Sequence, residues 1–465
     1  MTMLAEQLEL LEHAAPLEFR GAVSQVRGLG LHVSDLPVPI GAMVRILPRH
    51  ARGDNRGVAG EVVAFHGDQT IVMPFGSPTG IRVGDPVVAE QFSQVVRVGE
   101  GMLGRVLNGL GQPIDKRGPL GETIARPLHP QPIDPLQRSL IDQPLATGVR
   151  TIDALTSVGR GQRLGLFAGT GVGKSTLLAM MARHTAADVS VLALVGERGR
   201  EVRDFLDNQL GAEGLARSVV VCATGDEPAL LRLRAAAVAT SIAEFFRDRG
   251  HDVLLLMDSV TRWCQAQREI GLAAGEPPAT KGYPPSVFSL LPTLLERSGR
   301  TTSGSITGLY SVLVEGDDMT GPIADAARGI LDGHVVLSRD LAHKGHYPAI
   351  DVLESISRVA DDVTKGDHQA ARREVVRLLA AYRKVEDLLN IGAYVAGSNP
   401  EFDLAIACKP AIDQLTQQGK REQKGMADFD RTRQQLLALH KRIEDTRLSL
   451  QKGKGQSQRG MNTRR

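Results

Sequence analysis

The eight-residue stretch GTGVGKST, residues 169–176, constrains the fold of this chain more than any other part of its sequence. The apolar run RLGLFA before it predicts a buried strand that ends at Ala168, and the run LLAMMARHT after it predicts a helix. A glycine-rich turn between a strand and a helix directs backbone N–H groups and the helix N-terminus at a phosphate. The sequence therefore predicts a triphosphate site formed by Gly169, Thr170, Gly171, Val172, Gly173, Lys174, Ser175 and Thr176.

Two side chains of this stretch have separate expected roles. The Lys174 ammonium can reach the β- and γ-phosphates, and the Ser175 hydroxyl can bind Mg²⁺. The usual pattern has glycine where this chain has Ala168, and a glycine-rich turn before a helix also occurs as a simple packing device. The GKS sequence after a predicted strand favours phosphate binding over that alternative.

The composition limits the class of protein to which such a site can belong. The chain has 465 residues, of which 42% are hydrophobic and 23% charged, as is typical of a globular protein of two or three domains. Its net charge of +2 and its aromatic content of 4% give no indication of specific nucleic-acid binding. Three widely spaced cysteines and the lack of a long apolar run predict a cytoplasmic location.

Changes of pattern along the chain predict five segments. Leu4, Leu8 and Leu11 share one face of a predicted N-terminal helix, which either docks on its own protein or binds a partner. Short β-prone runs between glycine turns then predict a small barrel, and later apolar strands alternating with helices predict a mostly parallel sheet covered on both faces. The segments are the partner-binding helix at 1–17, the β-barrel domain at 18–98, the α/β domain at 99–362, the helical C-terminal domain at 363–450 and a disordered basic tail at 451–465.

Two carboxylates at predicted strand ends are candidates for the chemistry. Asp258 ends the apolar run DVLLLMD, at a place where a carboxylate holds Mg²⁺ in such sheets. Glu197 follows the run SVLALV and can polarise the water that attacks a γ-phosphate. Arg198 and Glu201 make this spot densely charged and are possible supporting residues, although a surface ion-pair cluster is the alternative interpretation.

Several strings now carry a resemblance to the catalytic subunits of rotary ATP synthases, and more narrowly to the type III protein-export ATPases. The match is strong over about residues 144–399. PAIDVLESIS, residues 348–357, is similar to the nucleotide-binding signature of that superfamily. The other strings are GERGRE at 196–201, MDSVTR at 257–262, GEPPATKGYPPSVF at 275–288 and ILDGHVVLSRDL at 330–341.

The resemblance implies a role for each matching residue. It implies that ATP is the nucleotide, that Lys174 and Glu197 are catalytic, and that Ser175 and Asp258 hold Mg²⁺. It further implies that Arg358, in SISRV, is an arginine finger that reaches the γ-phosphate of a neighbouring subunit, and that Tyr347 stacks on adenine. The implied fold is a small β-barrel, a RecA-like P-loop core and a helical C-terminal domain, assembled as a ring of six.

The same resemblance implies the partners and the location. GEPPATKGYPPSVF and GAYVAGSNPEFDLAI, residues 275–288 and 392–406, resemble flagellar members more than injectisome members. We therefore expect an ATPase of a flagellar type III secretion apparatus, with an injectisome ATPase as the alternative. The expected partners are a stator-like regulatory protein at the N-terminal helix, the export apparatus, chaperones and exported proteins, at the periphery of the cytoplasmic membrane.

Three other classes of ring protein remain as alternatives. A non-catalytic nucleotide-binding subunit would lack the carboxylate at Glu197, and a proton-driven ATP synthase subunit would have a longer C-terminal pattern. A Rho-like nucleic-acid translocase would need a basic or aromatic-bearing N-terminal domain. The last 25 residues, with eight Lys or Arg and two Asp or Glu and hence a net charge of +6, are the one feature that fits a translocase.

Overall fold

The computed structural model describes residues 18–49, 57–314, 316, 318–419 and 428–462, with side chains as far as residue 452. The predicted N-terminal helix with Leu4, Leu8 and Leu11 lies outside these residues. Among the residues that are described, no helix has both the length and the apolar composition needed to cross a bilayer.

The N-terminal part is a closed six-stranded barrel, as the short β-prone runs predict. Its strands are joined in the order β1-β2-β5-β4-β3-β6, and every pair is antiparallel. Alternate valine and leucine side chains fill the interior, because successive residues of a strand point to opposite faces. The strands are β1 Arg20–Arg27, β2 Gly30–Ser34, β3 Met43–Ile46, β4 Val58–His66, β5 Gln69–Pro74 and β6 Pro86–Gln91.

An irregular connector leads from the barrel to the central sheet. It contains few ladder hydrogen bonds because its prolines lack an N–H group. β7 pairs with β9, β10 pairs with β11, and β8 joins the edge of the central sheet. These strands are β7 Val95–Val98, β8 Val106–Leu107, β9 Ile124–Pro127, β10 Pro144–Leu145 and β11 Val158–Gly159.

A mostly parallel nine-stranded sheet forms the centre of the molecule. Its order is β19-β18-β12-β17-β15-β13-β14-β8, with β16 paired to β17, and only the pairs β18–β19 and β16–β17 are antiparallel. The strands predicted from the apolar runs RLGLFA, SVLALV and DVLLLMD are all present. The strands not yet given are β12 Arg163–Ala168, β13 Val189–Val195, β14 Ser218–Ala223, β15 Asp252–Asp258, β16 Gly299–Arg300, β17 Ser305–Leu313, β18 Gly333–Leu337 and β19 Ile350–Ser357.

Helices cover both faces of this sheet, so that it lies between two apolar cores. A π-helical turn, Phe205–Leu210, joins the third and fourth helices. The helices are α1 Arg150–Leu155, α2 Lys174–His184, α3 Gly199–Asp204, α4 Gly211–Ala216, α5 Ala229–Arg247, α6 Val260–Ala273, α7 Pro285–Leu295, α8 Pro322–Ile330 and α9 Arg339–His343.

Three further helices form the C-terminal part and pack on α1 through their own apolar core. They are α10 Gly366–Asn390, α11 Pro400–Thr416 and α12 Phe429–Asn462. The Asn399 side chain caps α11 by accepting hydrogen bonds from two backbone N–H groups. α12 continues to Asn462, through a segment for which the sequence predicts a disordered tail. Lysine, arginine and glutamine favour a helix there, although glycines interrupt them.

A buried carboxylate between the barrel and the central sheet predicts a dependence of stability on pH. Glu61 in β4 lies 3.8 Å from Arg234 in α5, and burial raises the pKa of Glu61 from 4.5 to about 7 against the opposing effect of that arginine. The folded chain therefore binds this proton more tightly than the unfolded chain. The resulting stabilisation is complete below about pH 4.5 and is lost as the pH rises through about 7.

We expect Glu61→Gln to remove this dependence. Between pH 5 and pH 8 the parent loses this stabilisation and the variant does not. The melting temperature of the variant minus that of the parent should therefore increase by about 2–4 °C over this pH range. Thermal denaturation at the two pH values measures the change. Glu90→Gln is the control, since Glu90 pairs with Arg45 at the solvent-exposed surface of the same barrel. An equal pH response of both variants would contradict the assignment to Glu61.

Candidate active site

The predicted phosphate loop connects β12 to α2, as the sequence indicates. β12 ends at Ala168 and α2 begins at Lys174. Gly171 and Gly173 have φ angles of +82° and +94°, a conformation that side-chain-bearing residues rarely adopt. The loop backbone therefore wraps the N-terminus of α2, where unpaired N–H groups and the helix dipole favour an anion.

Lys174, Asp258 and Glu197 meet beside this loop. The Lys174 Nζ donates to Asp258 Oδ1 at 2.5 Å and to Glu197 Oε1 at 3.5 Å. The hydroxyl of Ser311, in β17, also donates to Asp258 Oδ1, at 2.8 Å. The three charged side chains are largely buried, so their interactions are only weakly screened by water. The cluster is a lysine held between two carboxylates at the edge of the sheet.

The order of the strands explains why these residues meet. β12, β17, β15 and β13 are parallel neighbours, so their carboxyl ends share one edge of the sheet. Asp258 is the last residue of β15, and Glu197 follows β13 after Gly196. Gly196 has a φ of +74°, and a Cβ there would lie 2.7 Å from the Cβ of Arg262. Only glycine fits where the chain turns to present Glu197.

Burial and charge shift the pKa values of this cluster. Burial by itself lowers the pKa of Lys174, but the attraction of Asp258 and Glu197 outweighs it and leaves that pKa above its ordinary value. Burial also raises the pKa of Glu197, while Lys174 lowers it and the charges of Asp258 and Glu201 raise it further. Glu197 is consequently a stronger base than a carboxylate in water.

Arg198 and Glu201, the possible supporting residues, have separate positions. They form an exposed ion pair at 3.1 Å across the start of α3. Glu201 nevertheless faces Glu197 closely enough to raise its pKa. Arg198 therefore matches the interpretation as a surface pair, whereas Glu201 also acts on the buried cluster.

The donor set at the edge of the sheet fits a magnesium ion. Mg²⁺ prefers hard oxygen ligands and keeps several waters, with few protein ligands beside the phosphates. Ser175, in the first turn of α2, and Asp258 supply a hydroxyl and a carboxylate. Within the described residues both hydrogen bonds to Asp258 go to Oδ1, so its Oδ2 is available to an ion or to water. No cluster of three or more His, Cys, Asp or Glu side chains offers another metal site in that part of the chain.

Tyr347 lies against the phosphate loop. A Cβ placed on Gly173 would be 3.5 Å from its ring, and the side chain is 44% exposed. The backbone N–H of Gln418, after α11, donates to the carbonyl of Tyr347 at 2.8 Å. The C-terminal part therefore holds the backbone of Tyr347, while the ring borders the phosphate loop and is partly exposed to solvent.

We expect Tyr347→Ala to weaken nucleotide binding by about tenfold, because a base loses one stacked aromatic face. The dissociation constant of a fluorescent ATP analogue measures this. Tyr347→Phe keeps the ring and serves as the control, with nearly unchanged affinity. Equal affinity of Tyr347→Ala and the parent would contradict stacking at this position.

Arg358, like the exposed Arg198, does not join the cluster of Lys174, Asp258 and Glu197. It follows β19, whose Ser357 pairs with Gly333 at the start of β18. The phosphate loop follows Ala168, which pairs with Leu337 at the other end of β18. Four steps of about 3.3 Å along the strand separate the two ends, so Arg358 lies about 13 Å from its own phosphate loop along the sheet. Its side chain is exposed.

Sequence reasoning missed Ser311 and Gln418. Ser311 is a small polar residue inside an apolar strand, and that interruption is the signal that could have indicated it. Gln418 donates from Nε2 to the carbonyl of Gly148 and accepts at Oε1 from the N–H of Arg150. It thereby ties the chain after α11 to α1, and no pattern in its surroundings indicates this role.

Family models match three consecutive parts of the chain. The "ATP synthase alpha/beta family, beta-barrel domain" matches residues 23–90, and the nucleotide-binding domain of the same family matches residues 148–357. The "T3SS EscN ATPase C-terminal domain" matches residues 364–438. The barrel, central sheet and helical C-terminal part thus correspond to one set of domains, as the resemblance implies.

Individual proteins are similar over nearly the whole chain. The flagellum-specific ATP synthase of Pseudomonas aeruginosa is 49% identical, with 94% of this chain and 98% of that protein covered. The type 3 secretion system ATPase of Xanthomonas euvesicatoria is 50% identical, with 83% and 87% covered. The assembled ATPase EscN of the enteropathogenic E. coli type III secretion system is 42% identical, with a TM-score of 0.83 over 90% of this chain and 100% of that chain. The chain belongs to the ATP synthase alpha/beta family and, within it, to the flagellum-specific and type III secretion ATPases.

Proposed function

We propose that this ATPase energises protein export through a flagellar type III secretion apparatus. The observation that carries the proposal is the cluster of Lys174, Asp258 and Glu197 at the phosphate loop. A non-catalytic ring subunit lacks a base at the position of Glu197, and the C-terminal helices match the model of a type III secretion ATPase C-terminal domain over residues 364–438. The similarity to flagellum-specific ATP synthases over nearly full length supports the flagellar assignment.

In the proposed site each side chain has one task. The loop Gly169–Thr176 and Lys174 hold the phosphates of ATP, and Tyr347 holds the base. Glu197 orients the attacking water and accepts its proton, for which its raised pKa suits it. Ser175 and Asp258 would hold Mg²⁺, which neutralises charge on the β- and γ-phosphates when bound.

Lys174 must exchange partners when ATP binds. In the structure its ammonium bridges Asp258 and Glu197. A triphosphate competes for this ammonium, and its withdrawal leaves both carboxylates to act on a metal ion and on water. We infer that nucleotide binding itself releases Glu197 to serve as a base.

Arg358 completes the site from a neighbouring subunit. An arginine can stabilise charge spread over the transferring phosphoryl group only when its guanidinium reaches that group. The separation of about 13 Å within one chain favours delivery to another copy. A ring of six subunits follows the family resemblance and is supported by the assembled structure of EscN.

The remaining partners extend this proposal. EscN has been solved in complex with its central stalk EscO, and we propose a comparable stalk for this chain. We further propose that residues 1–17 bind a stator-like regulatory protein and that the ring works with chaperones and exported proteins at the cytoplasmic membrane.

Deletion of residues 2–14 should abolish capture of the regulatory protein and leave basal hydrolysis intact. Capture that is retained after the deletion would contradict the proposed binding role of residues 1–17.

Complementation of deletion strains tests the export system. The parent chain should restore secretion of flagellar proteins and motility to a strain lacking its flagellar export ATPase, while Lys174→Ala should not. The injectisome alternative, which the similarity to EscN favours, predicts rescue of effector secretion in a strain lacking its injectisome ATPase. Rescue of that strain alone would replace the flagellar assignment.

A further inference from the structure

We propose that residues 134–142, here called the leucine connector, form a docking surface for a second copy of this chain beside Arg358. Leu136 and Leu140 are 96% and 85% exposed, although both are large apolar side chains. The inference rests on the proposed ring, because a ring subunit must present two different faces to its two neighbours.

Hydrogen bonds fix the leucine connector to the central part. Arg138 donates from Nη1 to the carbonyl of Ser298 at 3.1 Å and from Nη2 to that of Glu296 at 2.6 Å. The backbone N–H of Ser139 donates to the carbonyl of Arg300 at 3.1 Å, and the Arg300 guanidinium donates to the carbonyl of Leu140 at 2.9 Å. The two leucines are therefore held outward on an anchored backbone.

Because the backbone is anchored, the exposure of Leu136 and Leu140 is a fixed property of the folded chain. A loose loop can turn an apolar side chain inward at little cost, whereas a backbone bonded on both sides cannot. Asp134 caps the short turn Pro135–Gln137 by accepting a hydrogen bond from the N–H of Leu136. This hydrogen bond holds the backbone of Leu136 in the turn, and Leu140 follows four residues later in the same short segment. Large apolar side chains held at the surface in this way are candidates for burial against a partner.

The leucine connector is continuous with the surface that carries Arg358. Ile141 packs on Gly159, where an added Cβ would meet its side chain at 2.2 Å, and the same Cβ would lie 3.4 Å from Val359. Ile141 and Val359 thus converge on one glycine, and Val359 is next to Arg358 in the chain. The end of the leucine connector therefore lies close to the chain segment that carries Arg358.

A hydrogen bond followed by ion pairs gives a second link between Arg358 and the leucine connector. The backbone N–H of Arg358 donates to the carbonyl of Asp332, and the Asp332 carboxylate is bound at two points, each 3.0 Å, by Arg163. Arg163 also pairs with Glu296, which contacts Arg138 of the leucine connector. Hydrogen bonds and ion pairs therefore connect the leucine connector to the backbone of Arg358.

A second copy is the occupant that the position of Arg358 favours. Arg358 lies far from its own phosphate loop and needs a neighbouring one, and the similar protein EscN has been solved as an assembly. Burial of two leucine side chains against that neighbour would strengthen association substantially, since each contributes apolar area. The leucine connector would then hold the arginine-bearing face against the adjoining subunit.

The double variant Leu136→Ser/Leu140→Ser tests the proposal through the dependence of ATPase rate on protein concentration. We expect the concentration at half-maximal specific activity to rise at least tenfold, with the limiting rate at saturating protein retained. Sedimentation velocity with a non-hydrolysable ATP analogue should show the same shift toward monomer. Circular dichroism and the melting temperature confirm that the variant is folded.

The matched control is Ile391→Ser/Val395→Ser, which changes two other exposed apolar residues, at 74% and 71%, in the loop between α10 and α11. This control should leave the midpoint unchanged. An unshifted midpoint in the Leu136/Leu140 variant, with a parent that does depend on concentration, would overturn the docking surface alone. A parent with constant specific activity down to the monomer would instead overturn the proposed ring. Normal assembly but lost export would assign the leucines to another partner and equally overturn the proposal.

Discussion

Replacement of Glu197 by glutamine should lower the rate of ATP hydrolysis about 10³-fold and leave ATP binding nearly unchanged. Glutamine keeps the size and the hydrogen-bonding reach of the side chain but cannot accept a proton from water. Lys174 keeps Asp258 as a partner at 2.5 Å, so the phosphate-binding lysine stays in place. Phosphate release measures the rate, and titration with a fluorescent ATP analogue measures binding.

Asp207→Asn provides the control for Glu197→Gln. Asp207 is an exposed carboxylate that pairs with Arg203 just beyond α3, so its loss should leave hydrolysis within about twofold of the parent. Hydrolysis by Glu197→Gln at the parental rate would remove this residue from its catalytic role. It would also reopen the alternative of a subunit whose nucleotide has a purely structural function.

Arg358→Ala should also reduce hydrolysis by at least about 10³-fold, for a different reason. The variant keeps the whole cluster of Lys174, Glu197 and Asp258 in its own subunit, so ATP affinity should be retained. Arg358→Lys should not restore the rate, because an ammonium lacks the forked geometry of a guanidinium. Steady-state kinetics and nucleotide titration separate the two effects.

The control here is Arg373→Ala. Arg373 is an exposed arginine of α10 that lies near Asp361. We expect a normal rate from it. A normal rate from Arg358→Ala would place the transition-state cation elsewhere, and a loss of ATP affinity equal to the loss of rate would make Arg358 a binding residue.

Much of the fold follows from local patterns. Strands buried on both faces consist of continuous apolar residues, and the runs RLGLFA, SVLALV and DVLLLMD are all strands of the central sheet. The meeting of Lys174, Asp258 and Glu197 was predictable because each follows or ends a strand, and parallel strands place their carboxyl ends together. The contact of Ser311 with Asp258 was not predictable from the sequence, because it depends on β17 lying next to β15 in the sheet.

Other features depend on pairings between distant parts of the chain. Closure of the barrel needs β1 beside β6, which no local signal specifies. The position of Arg358 follows from the antiparallel return of β19 along β18, whereas the sequence indicated this arginine only through a resemblance. The exposed leucines of the leucine connector lie among several prolines, and no local sequence pattern distinguishes them from other apolar residues.

Mixing two inactive variants tests most directly whether the catalytic site is shared between subunits. Glu197→Gln supplies Arg358, and Arg358→Ala supplies Glu197, so random mixing in equal amounts leaves about one interface in four intact. A shared site predicts recovery of about a quarter of the parental ATPase rate. A mixture of Glu197→Gln with Lys174→Ala should stay inactive, because both changes affect the same face. A mixture of the first two variants that remained as inactive as each one alone would contradict the shared site.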